Sequence, residues 1–390
     1  YRKALNLVSE TDSLKRGEVQ ERVGYCFYRA AFQAETRDVF KNRMESAAGA
    51  YEKAAELFDN VEGFEKLAIT SHCKAMGAYA NSWLAADLSA KRKQLDECWR
   101  LEKEALRVYE KAADHMNVGK TCNNLMILLT DRLTIEWDAE SREKIIEEAL
   151  ECGEKAIEIF SKAQDRYQLA QAYTITASFY RHAAFARGFK VERREECRKK
   201  ALSYPEKAIE ISEEIGDAYL IGLSNFRLAD VRLDILGSLG LEERQHFEKA
   251  LQCGILTKDN LLIADALWGL EFAMGFSAMA QEDPDKAREE YRKLDEYRED
   301  AVAHYNIIAH DAGIAYAYSF GIHNVEQRSA METDLESKRR LIEEYVKLGY
   351  KGLEHARLSG SMGRVCHLTG ALSIALICQA RVETDTSRKR

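Results

Sequence analysis

Apolar positions recur at helical spacing along most of the chain. In GEKAIEIFSKAQD (153–165), PEKAIEISEEIGD (205–217) and FEKALQCGILTKD (247–259) one apolar–polar phrase appears three times without a gap, each time closing on an aspartate. Behind that aspartate opens another apolar-periodic run, such as RYQLAQAYTITASFYRHA or AYLIGLSNFRLADVRLDIL. An aspartate in that position predicts a helix N-cap, its carboxylate accepting from the free N–H groups of the next first turn. The predicted unit is a helix, a turn, a second helix and a charged connection of variable length.

The phrase x-E-K-A marks the second helix. It begins at Tyr51, Tyr109, Gly153, Pro205 and Phe247, with looser copies at Arg298 (REDA) and Leu353 (LEHA). The steps are 58, 44, 52, 42, 51 and 55 residues. Units of that size leave room for helices of about 20 residues, roughly 30 Å each. YRKALNLVSETD aligns Tyr1 with Tyr51, so the chain is expected to begin inside a repeat, on its second helix. At the other end Arg364 to Arg381 reads as a first helix with only VETDTSRKR after it. The expected organisation is one array over residues 1–390, of about seven to eight units with the first truncated, cut from a longer protein.

This pattern resembles the tetratricopeptide repeat (TPR), and the resemblance covers nearly the whole chain. Small residues spaced around an aromatic, as in Ala47, Tyr51 and Ala54 or Ala105, Tyr109 and Ala112, match its second helix. Val23-Gly24 with Phe27, and Thr176-Ala177 with Tyr180, match its first. The resemblance implies an all-α fold, a right-handed superhelix of stacked antiparallel helix pairs. The unit is longer than the 34 residues usual in that family, as in long-helix TPR-like arrays.

Proline 205 interrupts an otherwise helical phrase. A helix break is expected there, with Ser203 as cap and Pro205 in the first turn of a new helix; a kinked continuous helix is the alternative. In QEDPDKAREE, Asp283 is expected to cap and Pro284 to open a helix.

Composition supports long helices with short connections. Two prolines in 390 residues is too few for strand- or loop-rich folds, and 46% hydrophobic content supplies a core. The net charge of -8, from 57 basic and 65 acidic residues, argues against a duplex nucleic-acid binder. Nine scattered cysteines without a C-x-x-C fit reduced thiols in a cytoplasmic protein. No apolar run reaches the roughly 18 residues of a membrane span, and YRKALNLVSE is no signal peptide.

The chemical motifs come to nothing. NVGKT (117–121) ends like a phosphate-binding loop, but Asp114 stands where that loop needs glycine. Glu243-x-x-His246 is a single copy of a spacing that di-iron bundles use twice. His72 and Cys73 are adjacent and point to different helix faces. No G-x-S-x-G elbow or dinucleotide loop occurs, and no enzyme, cofactor or metal is expected. The most basic stretch, RGFKVERREECRKK (187–200), carries Glu192, Glu195 and Glu196, which predicts internal pairing on a solvated connector.

A solenoid offers one extended concave face, lined by the first helix of each pair. The TPR resemblance, carried over position by position, places Lys74, Asn81, Thr174, Ser178, Arg181, Phe226, Asp230, Asp265 and Trp268 on it. The family's carboxylate clamp is not matched, since Ala78 stands where an asparagine would follow Lys74. The alternative for Phe226 and Trp268 is a place in the core. The expected function is a protein-interaction or sensor module that binds a peptide or partner protein in that groove, as the regulatory arm of a larger intracellular protein. RNA binding through residues 187–200 and a purely structural spacer are the alternatives.

Overall fold

The computed structural model describes residues 7–63, 66–237 and 240–383, the side chain of residue 276 excepted. The described residues form fifteen α-helices and no strand. They run in pairs: α1 (Ser13–Ala31) with α2 (Arg37–Phe58), α3 (Lys66–Ser82) with α4 (Leu88–Lys111), and α5 (His115–Ile135) with α6 (Ala139–Ala163). Next come α7 (Arg166–Ala184) with α8 (Val191–Ile215), α9 (Ala218–Leu236) with α10 (Leu241–Thr257), and α11 (Asn260–Ala280) with α12 (Pro284–Ile307). The set ends with α13 (Asp311–Met331), α14 (Leu335–Ser359) and α15 (Met362–Val382). All seven copies of the marker phrase from residue 51 onward fall on even-numbered helices. The Tyr1 copy lies outside the described residues.

The turn chemistry is the one the repeat phrase predicts. Asp165, Asp217 and Asp259 accept hydrogen bonds from the backbone N–H of Gln168, Leu220 and Leu262 at 3.1, 2.9 and 3.1 Å. Asp283 caps α12 and Pro284 opens it. Asp114 caps α5 in the same way, at 3.1 Å from the Asn117 nitrogen. That places NVGKT inside a helix, where no loop can cradle a phosphate.

Small residues on odd helices receive aromatic rings from even ones. A Cβ on Gly24 would lie 3.0 Å from the Tyr51 ring, and one on Gly119 would lie 2.8 Å from the Phe160 ring. The Phe247 ring fills the space beside Gly269 in the same way. Tyr51, Phe160 and Phe247 are fully buried, so each pair is locked by a ring in a gap that only glycine leaves.

Two expectations are corrected. Helix α8 does not break at Pro205; it runs unbroken from Val191 to Ile215 with the proline inside. Ala201, Tyr204, Pro205 and Ala208 are all buried, so packing on both sides of the missing N–H holds the two halves in one helix. Second, two helices are long and apolar enough to cross a membrane, α11 with mean hydropathy 1.4 and α15 with 1.5. Helix α11 is 71% buried, as a core helix is, while α15 is only 22% buried. Their apolar stretches are interrupted by single polar residues, which is why no continuous run stands out.

Odd helices also pack on odd helices, from α5 through α7, α9, α11 and α13 to α15, forming the inner layer of the array. That layer curls far enough for the first pair to meet the sixth. The backbone N–H and side-chain amide of Asn260, at the start of α11, donate to the Phe32 carbonyl at 2.9 and 2.8 Å, and the amide also reaches the Ala34 carbonyl at 2.8 Å. Arg29 of α1 pairs with Asp259 at 3.2 Å and lies 4.0 Å over the Tyr219 ring of α9. The Trp83 indole stacks on His310 at 5.8 Å. Burial and the nearby Lys91 hold that imidazole down at about 3, so it is neutral and can accept from the Gly313 N–H at 3.0 Å.

Candidate functional site

Helices α7, α9 and α11 lie side by side in the inner layer; two arginine–aspartate contacts join α7 to α9, and a third lies within α9. Arg181 on α7 donates to Asp230 at 2.7 Å and to Asp234 at 3.0 Å, both on α9. Arg227, one turn before Asp230, donates to its second oxygen at 2.7 Å. The Asp230 carboxylate thus bridges two guanidinium groups while its side chain is only 7% exposed. Both arginines keep a buried Nε–H with no acceptor. Burial, followed by the charges of Arg181, Arg142 and Arg227, pushes His182 well below its ordinary pKa, so it stays neutral beside them.

The next layer adds a carboxyl and an aromatic platform. Asp265 on α11 accepts from the Tyr305 hydroxyl at 2.6 Å. Burial raises this carboxyl to about 7, against the opposing pull of that hydrogen bond and of Arg227. One turn on, Trp268 stacks on Phe272 (6.2 Å between centroids) and meets Tyr316 and Phe320 of α13 edge-on at 5.7 and 5.4 Å. The Arg364 guanidinium of α15 lies 3.6 Å over the Tyr316 ring. Tyr316 is 38% exposed, and the Trp268 indole N–H has no acceptor. Burial lowers the Arg181 pKa, but the charges of Asp230, Asp234 and then Tyr316 outweigh it, so the platform lies within electrostatic reach of the bridge.

Of the nine positions expected on the groove, Arg181, Asp230, Asp265 and Trp268 come together here. Thr174 and Ser178 lie on the same helix face but are buried, Thr174 bonded to Ser224 at 3.0 Å. Phe226 is turned into the core against Phe247, 5.8 Å between centroids, and offers nothing to a partner. Lys74 and Asn81 line a separate cleft between α2 and α4. Arg227, Asp234, Tyr305, Tyr316, Phe320 and Arg364 were not singled out from the sequence. Tyr316 and Phe320 share an i, i+4 face on α13, which was the available signal; the marker phrases on either side of them, REDA and LEHA, are the two looser copies.

The other candidates are taken up in structure. Glu243 accepts from the Gly240 N–H at 2.9 Å and from Arg232 at 2.7 Å, while His246 bonds Asn225 at 2.7 Å. His72 sits 2.8 Å from Glu102, and Cys73 is buried. In the basic stretch, Arg193 pairs with Glu147, Arg198 with Glu195 and Lys200 with Glu154, at 2.9, 2.6 and 3.1 Å. The nine cysteines are free thiols.

The chain is an all-α solenoid of TPR-like helix pairs. No family model and no characterised protein sequence matches it. Among solved structures it is similar to a Rap protein complexed with competence and sporulation factor, at 13% identity over 95% of this chain and 99% of that one, with a TM-score of 0.46. It is also similar to a circular tandem repeat protein of novel repeat topology (12% identity, 96% and 98% covered, TM-score 0.27). A chain from the computational design of self-assembling cyclic homo-oligomers is similar at 14% identity, 94% of each chain and a TM-score of 0.14. No TM-score here reaches 0.5, so the fold statement stands on the helix pairs themselves.

Proposed function

We propose that the chain is a protein-interaction module that holds a peptide segment of a partner on the inner face of α7, α9, α11 and α13, as the regulatory arm of a larger effector. The observation that carries this reading is the platform of Trp268, Tyr316 and Phe320 with Arg364 above it, next to the Arg181–Asp230–Arg227 bridge. Aromatic and arginine side chains that keep an open edge are the groups that supply most of the energy of protein recognition. The unpartnered N–H groups of Trp268, Arg181 and Arg227 are buried in the free chain, so they become donors for a peptide carbonyl or carboxylate only where the inner layer opens. An apolar side chain of the peptide would pack on the platform while its polar groups meet the arginines.

The contact of Asn260 with Phe32 and Ala34 gives the array a means of signalling. A peptide that separates or tightens the inner layer changes how α1 is seated on α11, and with it the opening of the superhelix. The basic stretch does not favour the RNA reading, because three of its cations are paired.

The test is selection of peptides from a displayed library on the purified chain, then titration of the selected sequences against Tyr316→Ala and Arg364→Ala. A tenfold or greater loss of affinity in both, with an unchanged melting temperature, supports the inner-face reading. Unchanged affinity in both overturns it.

A further inference from the structure

We propose a second docking surface, independent of the inner face: the cleft bounded by α2, α3 and α4 takes a basic α-helix from a partner protein. The cleft is an open groove of about 1160 Å³. Being open along the helices rather than closed around a small molecule, it suits a segment of polypeptide. Its walls belong to α2 and α4, its floor to α3.

The floor is made for close approach. Gly49, in the middle of α2, has nothing within 4 Å of where a Cβ would stand, and a Cβ on Gly77 of α3 would meet only ordinary contacts at 3.7 Å. Glycine is the poorest helix former after proline. At Gly24 and Gly119 a neighbouring ring requires it; at Gly49 and Gly77 nothing inside the chain does. Gly49 is exposed and lets another backbone come close, while Gly77 is buried against Ala48 and Tyr51 of α2 in the floor beneath it. Thr70 points the same way: it lines this cleft, is 4% exposed, and its hydroxyl has no partner.

The rims give the charge. Glu45, Glu52 and Glu56 lie along α2, with Glu97 and Glu104 opposite on α4. Lys41 pairs with Glu45 at 3.8 Å, Arg100 with Glu97 at 2.7 Å and Glu104 at 4.0 Å, and Lys74 with Asp59 at 3.6 Å, but Glu52 and Glu56 have no cation among the described residues. The walls on either side of α5 and α7 are zipped, Lys155 of α6 bonding Glu110 of α4 at 2.7 Å and Lys200 of α8 bonding Glu154 of α6 at 3.1 Å, whereas α8–α10 and α10–α12 carry no such bond among the described residues. Among the described residues no hydrogen bond or ion pair joins α2 to α4. The partner helix therefore carries Lys or Arg along both flanks and alanine or glycine on the face between them.

The probe is a fluorescein-labelled synthetic helix of about 20 residues, some 30 Å long, alanine-faced and flanked by Lys and Arg. Its controls are the same composition interrupted by proline and an acidic counterpart. Binding by anisotropy is expected for the basic helix, weakening as salt rises. Gly49→Phe, which fills the cleft from an open position, is expected to weaken it at least tenfold. Gly49→Ala, whose methyl meets nothing and favours the helix, is expected to weaken it less and to fold in any case. The pair Glu52→Lys and Glu56→Lys is expected to abolish it, and Tyr316→Ala to leave it unchanged. Equal binding of the proline-interrupted peptide, or unchanged affinity in Gly49→Phe and Gly49→Ala, overturns the proposal and leaves the inner-face reading untouched.

Discussion

Arg181 and Asp230, 49 residues apart in sequence, meet at 2.7 Å across the inner layer, and Arg227 closes on the same carboxylate from the other side. Removing the anion between them would leave Arg227 without its carboxylate and Arg181 with Asp234 alone. Asp230→Asn is therefore expected to cost about 3 kcal/mol, the usual consequence of breaking one partner out of a buried pair. A chemical denaturation midpoint shifted down by that amount, with the loss of amide protection centred on α7 and α9, is the expected record. Solenoids lose structure by neighbouring units, so the local record is the more informative.

Pro205 makes the opposite prediction. The proline lacks the N–H that would bond to the carbonyl of Ala201, and its flanks are held only by packing. Pro205→Ala is expected to raise the melting temperature, because it restores that bond and relieves a cost of about 3 kcal/mol, less whatever the ring contributes by contact. A lowered melting temperature would mean that ring packing outweighs the lost hydrogen bond.

Glu271 predicts a pH dependence with a definite sign. It is fully buried on α11, with one oxygen accepting from the Asn324 amide at 3.1 Å and the other without a partner. Burial lifts its carboxyl from 4.5 to about 8, against the pull of Arg298. The folded state thus keeps a proton that the unfolded chain gives up near 4.5. The stability of the protonated form is fully present below that pH and is lost as pH rises through about 8. Glu271→Gln has no proton to lose. Its melting temperature relative to the parent chain is expected to climb across that window and to level off above it, as calorimetry at a series of pH values will show.

How much of this the sequence carried differs from residue to residue. The helix pairs were legible because one phrase recurs with its capping aspartate, and Asp165, Asp217 and Asp259 each cap as read. Trp268 and Phe226 were read alike, yet one lies on the inner face and the other in the core. The helical period places a residue on a face to within about one position, and at the edge of a face that error decides its side. Lys74 and Asn81 went to a separate cleft because no marker tells which flank of α3 a neighbour covers. The seating of α1 on α11 through Asn260 was not legible at all. It depends on curvature summed over five units, which no single phrase records.

The most direct measurement is hydrogen–deuterium exchange of the whole chain with and without a peptide selected from the library. The account predicts slowed exchange on α11 and α13 around Trp268 and Tyr316, and a changed rate at Phe32 and Asn260 where the first and sixth pairs meet. Protection confined to α2 and α4, with α11 and α13 unaltered, would contradict it.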